Sequence, residues 1–495
     1  NPNLPYLDGG PGTIQPDENG FDGFSEYAVR GYFYRFSYAY KGKYLLETTG
    51  RYDGSSKFPD GRRLGFFPSV SAGWRISDEL FMQPLKPALS DLKIRASYGN
   101  VGNQSIGNYL FYSGMATRPT SNWADASGTR YLTLNAPGLI SSDFTWEKVT
   151  TENIGIDLGM FANRLTGSFD LFKRKTTGML IPGAQLPAVL GAKPPLQNTA
   201  DLKSTGWGLQ AAWKDQVGKV TYQIAFNLSD NKAFITKYDI NETHLLSQYY
   251  VGQQIGEIWG YETDGFYAVK DFKEGSLNGN LMGGTLLPGV IKYQGQNPNP
   301  GDIKYKDLDK DGVIFTGDNT VDNPGDRKII GNNNRRYQYG ISGSVSYSGF
   351  DLSFFIQGVG KRDLYVVNDV TFPYSSNYGT IYSELLNYWR SDNTDAHYGR
   401  TYVEGGNKMY NMYPQTRFLL NGAYMRIKNV TLGYSISPAI LSTAKINALR
   451  IFISGDGLHT SKHLPGGVDP ELSDMGYGAQ YPIMKKMSVG LSLNF

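Results

Sequence analysis

The sequence of 495 residues contains no cysteine, only four histidines and no uncharged apolar run long enough to cross a bilayer as a helix. Without cysteine the chain forms neither disulfides nor thiolate metal sites. His459 and His463 are four residues apart, but the glycines before them and Pro465 after them argue against a helix that presents both to a metal. The patterns His-Glu-x-x-His and Gly-x4-Gly-Lys-Ser/Thr are absent. We therefore predict that the protein is not an enzyme.

The charge is nearly balanced, with a formal net value of +3, which gives no electrostatic case for a nucleic-acid partner. In contrast, aromatic residues make up 14% of the chain and there are 60 glycines, at a mean hydropathy of −0.39. This combination is typical of a transmembrane β-barrel, in which only alternate residues need to be apolar. It also fits a secreted all-β protein.

The last stretch of the chain, Met487–Phe495, alternates strictly between apolar and small polar residues. Such a period of two predicts a strand with one apolar face. In a barrel this strand would close the cylinder, with the apolar face toward lipid and the small polar face toward the lumen. The residues expected on the lipid side are Val489, Leu491, Leu493 and Phe495.

About thirteen such strands follow one another along the chain, and their connections alternate between short and long. The short connections are Lys41–Lys43, Phe161–Arg164, Gln216–Gly218 and Ser348-Gly349, and the long ones start near residues 102, 176, 230, 360 and 455. Outer-membrane barrels have short periplasmic turns and long external loops, so this pattern favours a transmembrane antiparallel up-and-down barrel over a soluble sandwich. An odd number of strands cannot close such a barrel, so the chain is expected to be part of one.

The two faces of these strands should differ in chemistry. Charged residues that alternate with the apolar ones are expected to make a wet lumen wall: Glu47, Arg75, Lys93, Arg95 and Asp157. Outward aromatic residues at strand ends, such as Trp74 and Tyr434, are expected in the interface girdles.

One local motif predicts a metal site. Asp307, Asp309, Asp311 and Asp318 occupy positions 1, 3, 5 and 12 of a calcium-loop pattern, with Gly312 at position 6 and the carbonyl of Val313 at position 7. Asp replaces the usual final Glu and reaches less far, so affinity could be reduced. We expect a structural Ca²⁺ that braces a long external loop; the alternative is an ion-free surface turn.

Aromatic residues in the long loops form a second candidate set. Flat apolar rings stack on sugar rings or peptide side chains, although packing within the loops or contact with a covering protein is the better explanation for any single one of them. The candidates for substrate contact are Trp123, Trp259, Tyr261, Tyr267, Tyr374 and Trp389.

Several motifs resemble the barrel of SusC-like (SusC/RagA) TonB-dependent outer-membrane transporters, from about Ser25 to Phe495. These motifs are Arg51–Lys57, Phe67–Ile76, Leu92–Gly99, Asn153–Gly159, Gly301–Asp307 and Tyr424–Tyr434. The resemblance implies a multi-pass protein of the bacterial outer membrane that imports oligosaccharides or peptides, works with a SusD-like lipoprotein lid and is driven by the TonB complex. It also implies a barrel of twenty-two strands with an N-terminal plug.

Compared with that pattern, the chain is expected to hold the last thirteen strands and to lack the plug and the TonB box. Residues 1–24 would be an external loop segment, and residues 25–495 would be the C-terminal portion of the barrel, with a long loop insertion at about 230–335. The N-terminal half would then be a separate chain or a further part of the same one. Two other functions remain open: a passive porin or adhesin on the same barrel, and a secreted all-β protein that binds or hydrolyses glycans.

Overall fold

The computed structural model describes residues 26–112, 117–118, 126–128, 133–134, 138–141, 144–191, 194–376, 381–437, 441, 446–472, 481 and 483–494. One antiparallel sheet of thirteen strands forms its body, and each strand pairs with the next along the chain. The all-β fold and the number of strands are therefore as predicted. No helix in the described ranges is long and apolar enough to cross a membrane.

The strands of this sheet are labelled in chain order. They are β1 Val29–Tyr40, β2 Tyr44–Ser55, β3 Leu64–Arg75, β4 Leu89–Asn103, β5 Glu147–Met160, β6 Leu165–Pro182, β7 Leu196–Val217, β8 Val220–Tyr238, β9 Arg336–Tyr347, β10 Phe350–Lys361, β11 Tyr424–Ser435, β12 Ala448–Lys462 and β13 Lys486–Asn494.

The connections contain short elements. The short strands are Thr117–Arg118, Thr133–Leu134, Glu257–Tyr261, Thr263–Phe266, Ile303–Tyr305, Arg327–Asn332, Asp363–Leu364 and Leu420–Asn421. An α-helix spans Gly406–Asn411, and 3-10 helices span Ile76–Asp78, Leu80–Leu85, Ala188–Leu190, Val269–Asp271 and Ser383–Leu386.

Strand register places the two kinds of side chain on opposite faces of the sheet. Leu491 lies opposite Ile451 and, further along the same row, Tyr434 and Phe350, so the apolar residues form continuous cross-strand rows. In the middle of the strands the other face carries charged residues, since Lys93 lies directly opposite Asp157 and Arg95 lies two residues further along the same face of β4. Apolar rows outside and polar rows inside are the arrangement of a membrane barrel wall.

Tight turns join the strands at one end of the sheet. Lys41 and Gly42 have φ of 53° and 68°, and Ser348 and Gly349 have φ of 47° and 91°. These left-handed conformations match the twist of the flanking strands. At this end the short connections lie where the sequence places them, except that the β7–β8 turn is Gly218-Lys219.

Long loops occupy the opposite end, and several start later than the sequence predicts. Strands β6, β8 and β12 continue to Pro182, Tyr238 and Lys462, beyond the predicted loop starts near 176, 230 and 455. The strands continue past the end of the apolar alternation, because hydrogen bonding between strands does not require an apolar face. The insertion predicted at about 230–335 consequently spans residues 239–335.

Candidate functional site

The two largest loops, residues 239–335 and 362–423, pack together into one body, which we call the loop unit. Its hydrophobic core combines residues from both loops, and aromatic residues predominate. The first loop contributes Tyr261, Tyr293, Ile303, Tyr305 and Ile314, and the second contributes Phe372, Leu385, Tyr398 and Phe418. The two loops therefore share one hydrophobic core at the long-loop end of the sheet.

A buried carboxylate joins the two loops. Asp302 is 0% exposed. Its oxygens accept hydrogen bonds from the side-chain amide of Asn411, at 2.9 Å, and from the backbone N–H of Asn299, at 2.7 Å. The same side chain of Asn411 also accepts a hydrogen bond, because its Oδ1 lies 2.8 Å from the backbone N–H of Ile303. Burial raises the pKa of Asp302 to about 6, although these hydrogen bonds favour its ionised form.

A buried amide makes a second joint. The Nε2 of Gln415 donates to the hydroxyl of Tyr305 at 3.2 Å and to the carbonyl of Asn411 at 3.0 Å. Its Oε1 accepts the hydroxyl of Thr263 at 3.0 Å. A buried polar group with all its partners satisfied fixes one arrangement of the surrounding chains, because any other arrangement would leave it unpaired.

A glycine allows a close approach between the two loops. Gly301 has φ of +92°, and a Cβ atom on it would lie 2.2 Å from Cδ2 of Trp389. The ring of Trp389 therefore lies against the backbone at Gly301, and the guanidinium of Arg400 lies 4.9 Å from the ring centre. The ring is buried between these groups.

The structure separates the predicted substrate-contact residues into three groups. Tyr261, Tyr267 and Trp389 are buried, so in this structure they pack the loop unit and offer no ring to a ligand. Trp259 is half-buried and donates from Nε1 to the hydroxyl of Tyr250 at 3.2 Å, and Tyr374 is also half-buried. Trp123 lies outside the described residues, as do Phe495 of the predicted closing strand and residues 1–24.

The predicted calcium loop lies in the first loop, and the structure brings together a different set of carboxylates. Oxygen atoms of Asp307, Asp309 and Asp326 lie within 4.8 Å of one another. Asp311 and Asp318 stand outside this group. Asp311 accepts the N–H of Val313 at 2.9 Å, and Asp318 accepts from the amide of Asn323 at 2.9 Å.

Asp326 is the member of this group that the sequence does not indicate. It is buried, and its oxygens accept the N–H groups of Leu308, at 2.7 Å, and Phe315, at 3.0 Å. Burial raises the pKa of Asp326, and the nearby charges of Asp309 and Asp307 add to the rise. Spacing gave no signal for it, because it lies beyond the 12-residue window of a calcium loop.

The face of the sheet opposite the apolar rows, which we call the inward face, carries a network of ion pairs. Arg95 contacts Asp157 at 3.1 Å and Asp170 at 2.7 Å, and Lys93 approaches Asp157 at 3.4 Å. Glu47 pairs with Arg35 at 2.7 Å. These side chains lie on the face where the sequence predicts a wet lumen wall.

Above this network, toward the long-loop end, lies a polar recess of about 620 Å³. Cationic and amide side chains predominate in its lining. They include Arg174, Arg335, Arg362, Asn231, Asn334 and Gln338. The side chains of Arg174, Asn231 and Gln338 are exposed and can donate into the recess. Arg362 is buried and already donates to the carbonyl of Asn333 at 2.9 Å. No carboxylate is among the described residues that line the recess.

Comparisons with known proteins agree with this architecture. The chain is 28% identical over 519 residues to TonB-dependent receptor P3 of Formosa agariphila, an alignment that covers 99% of this chain and 47% of that protein. It is 26% identical over 502 residues to TonB-dependent receptor SusC of Bacteroides thetaiotaomicron, which covers 98% of this chain and 46% of SusC. The chain thus spans about half the length of these curated relatives.

Solved structures share the fold. The RagAB peptide transporter superposes with a TM-score of 0.72 at 23% identity, over 95% of this chain and 48% of that one. The RagAB peptide importer in the open-open state gives a TM-score of 0.73 at 23% identity, over 95% and 47% of the two chains. The predicted resemblance to SusC-like transporters is confirmed. A family model described as TonB dependent receptor-like, beta-barrel matches residues 2–280, more than half of the chain, and the protein belongs to that family.

Proposed function

We propose that the chain forms part of the barrel of an active importer in the bacterial outer membrane, which takes up oligosaccharides or peptides and is driven by the TonB complex. Proteins of this family lie in the outer membrane. The observation that carries the proposal is the loop unit, which stands at the long-loop end of a sheet whose inward face is polar. A loop unit at the mouth of a barrel with a polar inward face suits capture and passage of a solute. The proposed role involves no catalysis.

The substrate class is proposed from the chemistry of the polar recess. Its guanidinium and amide groups can donate to sugar hydroxyls and to peptide carbonyls alike. One solved relative is named a peptide transporter, and one curated relative is named SusC. Both oligosaccharides and peptides therefore stand as substrates to be tested.

A SusD-like lipoprotein is proposed as the partner that covers the loop unit. Apolar side chains of the second loop are exposed at its surface: Val403 by 52%, Leu386 by 53% and Met409 by 62%. Exposed apolar residues gathered on one body are typical of a protein contact. The TonB complex would act through a part of the protein outside this chain.

Uptake by the full-length protein tests the proposal. Cells that express it would be given fluorescent oligosaccharides and, separately, fluorescent peptides, with and without a functional TonB. We expect uptake of one class that requires TonB. Uptake that is unchanged without TonB would instead indicate a passive porin, and binding without uptake would indicate an adhesin.

A structural Ca²⁺ in the first loop is also proposed. Asp307, Asp309 and Asp326 offer the hard oxygen ligands that Ca²⁺ prefers, and backbone N–H groups already hold Asp307 and Asp326 in place. A divalent cation would relieve the repulsion among the three carboxylates. Its role would be to brace the loop unit.

A further inference from the structure

The outward face of the sheet carries an apolar depression across β3 to β7, of about 610 Å³, which we call the outer groove. Strand register fixes which side chains line it. One cross-strand row consists of Ala72, Ala96, Ile154 and Leu171. The next row toward the long loops consists of Val70, Tyr98, Glu152, Lys173 and Thr205.

The groove exists because small and large side chains meet there. Ala72 and Ala96 lie side by side and project little from the sheet, while Tyr98, Ile154 and Leu171 around them stand exposed. A shallow channel with hydrocarbon walls results, on the face that the family directs toward lipid. An acyl chain fits such a channel, since both surfaces are apolar.

Positive charge gathers at the long-loop end of the groove. Lys173 contacts Glu152 at 3.2 Å, and in the next row Lys175 lies directly opposite Lys203 on β7. Lys232 follows on β8, opposite Thr205. Lys173, Lys175, Lys203 and Lys232 form what we call the lysine cluster.

The cluster has little negative charge to balance it. Among the described residues no carboxylate pairs with Lys175, Lys203 or Lys232, and Glu152 is shared with Lys173. Asp230, two residues before Lys232, pairs with Arg336. Asp201, two residues before Lys203, accepts the backbone N–H of Gly178 at 2.8 Å. Like charges opposite each other in a sheet repel, so an anion between Lys175 and Lys203 would stabilise this arrangement.

We propose that the outer groove and the lysine cluster together bind a phosphate-bearing membrane lipid, with an acyl chain in the groove and the phosphate at the lysines. The inference rests on the proposed placement in the outer membrane. An apolar channel that ends in a cationic cluster matches an amphiphile, whereas free phosphate would use the lysines alone. The long-loop end is where the headgroups of the outer leaflet would lie.

Native mass spectrometry of the full-length protein in a neutral detergent tests this, with monophosphoryl lipid A as the probe. We expect bound lipid on the wild type. Lys175→Gln combined with Lys203→Gln should weaken binding about thirtyfold, since each lysine near an anionic headgroup contributes about fivefold. Ala96→Phe, which fills the groove, should weaken it with the lysines intact.

Matched controls lie elsewhere on the same sheet. Lys214→Gln with Lys219→Gln removes the same charge at the tight-turn end of β7, and Ala211→Phe adds the same ring to the outward face of that strand. Both should bind like the wild type. Equal loss in controls and test variants, unchanged binding in the test variants, or full competition by inorganic phosphate would each overturn the proposal.

The test separates this inference from the proposed function. A wild type that fractionates with the outer membrane and imports its substrate but binds no lipid would refute the lipid site alone. A wild type that binds the lipid but shows no uptake would support the lipid site and count against import.

Discussion

The side-chain amide of Asn411 donates a 2.9 Å hydrogen bond to the fully buried carboxylate of Asp302, and this contact joins two loops whose residues are far apart in the chain. Burial holds the pKa of Asp302 at about 6, above about 3.9 in an unfolded chain.

This difference predicts a pH dependence of the loop unit. Between about pH 4 and pH 6 the folded unit keeps a proton that the unfolded chain has released, so its stability is highest below about pH 4 and falls as the pH rises to about 6. The total loss is at most about 3 kcal/mol. Hydrogen exchange, corrected for the intrinsic rate, should show a lower opening free energy at Ile303 at pH 7 than at pH 5.

Asp302→Asn should abolish this dependence, because an amide does not titrate, and should lower stability at pH 5 by about 1 kcal/mol for the hydrogen bond it disturbs. Asp322→Asn changes an exposed carboxylate of the same loop and is the control, which should keep the wild-type slope. A wild-type slope in Asp302→Asn would show that another group controls the joint.

Two glycines with similar φ angles allow the energetic effect of the contact at Trp389 to be measured. Gly301 has φ of +92° and lies against the ring, whereas Gly289 has φ of +85° and a Cβ atom added there would have no described atom within 4 Å. Gly289→Ala should cost about 1 kcal/mol, the strain of a left-handed non-glycine residue. Gly301→Ala carries the same strain and also displaces Trp389, so we expect at least twice the loss.

The free energy of unfolding of the loop unit, measured by limited proteolysis, compares the two variants. Equal losses would mean that the two loops separate at little cost at this contact.

Calcium removal tests the metal proposal. Chelation should increase protease cleavage in the first loop, and added Ca²⁺ should restore protection. Asp307→Asn and Asp326→Asn should remove this response, while Asp322→Asn should keep it. Asp318→Asn distinguishes the sequence pattern, which requires it as a ligand, from the geometry, in which it stands outside the group. A rate of protease cleavage that changes with neither chelator nor added Ca²⁺ would refute the site.

The outward face of β13 predicts contrasting effects of two substitutions. Val489 is 77% exposed on the apolar face and lies opposite Ile453. Val489→Arg should destabilise the membrane-inserted barrel by about 2–4 kcal/mol near the midplane. Ser492→Ala, on the inward face opposite Arg450, should have little effect. The folding yields of the two variants in lipid vesicles can be compared, and similar yields would contradict the assignment of Val489 to the lipid face.

The sequence by itself determined the sheet. Each strand's facing follows from a period of two, which is a local property, so thirteen strands, their apolar and polar faces and most tight turns were predicted from residues such as Val489 and Arg95. The family resemblance followed from short motifs that are equally local.

Tertiary structure decided what the loops do. The sequence indicated neither the joint between Asp302 and Asn411 nor the approach of Asp326 to Asp307, because these contacts join residues that no periodicity relates. Burial of Tyr261, Tyr267 and Trp389 also arises only when two loops share one core. The lysine cluster required strand register, since a shift of one residue would send Lys175 and Lys203 to opposite faces.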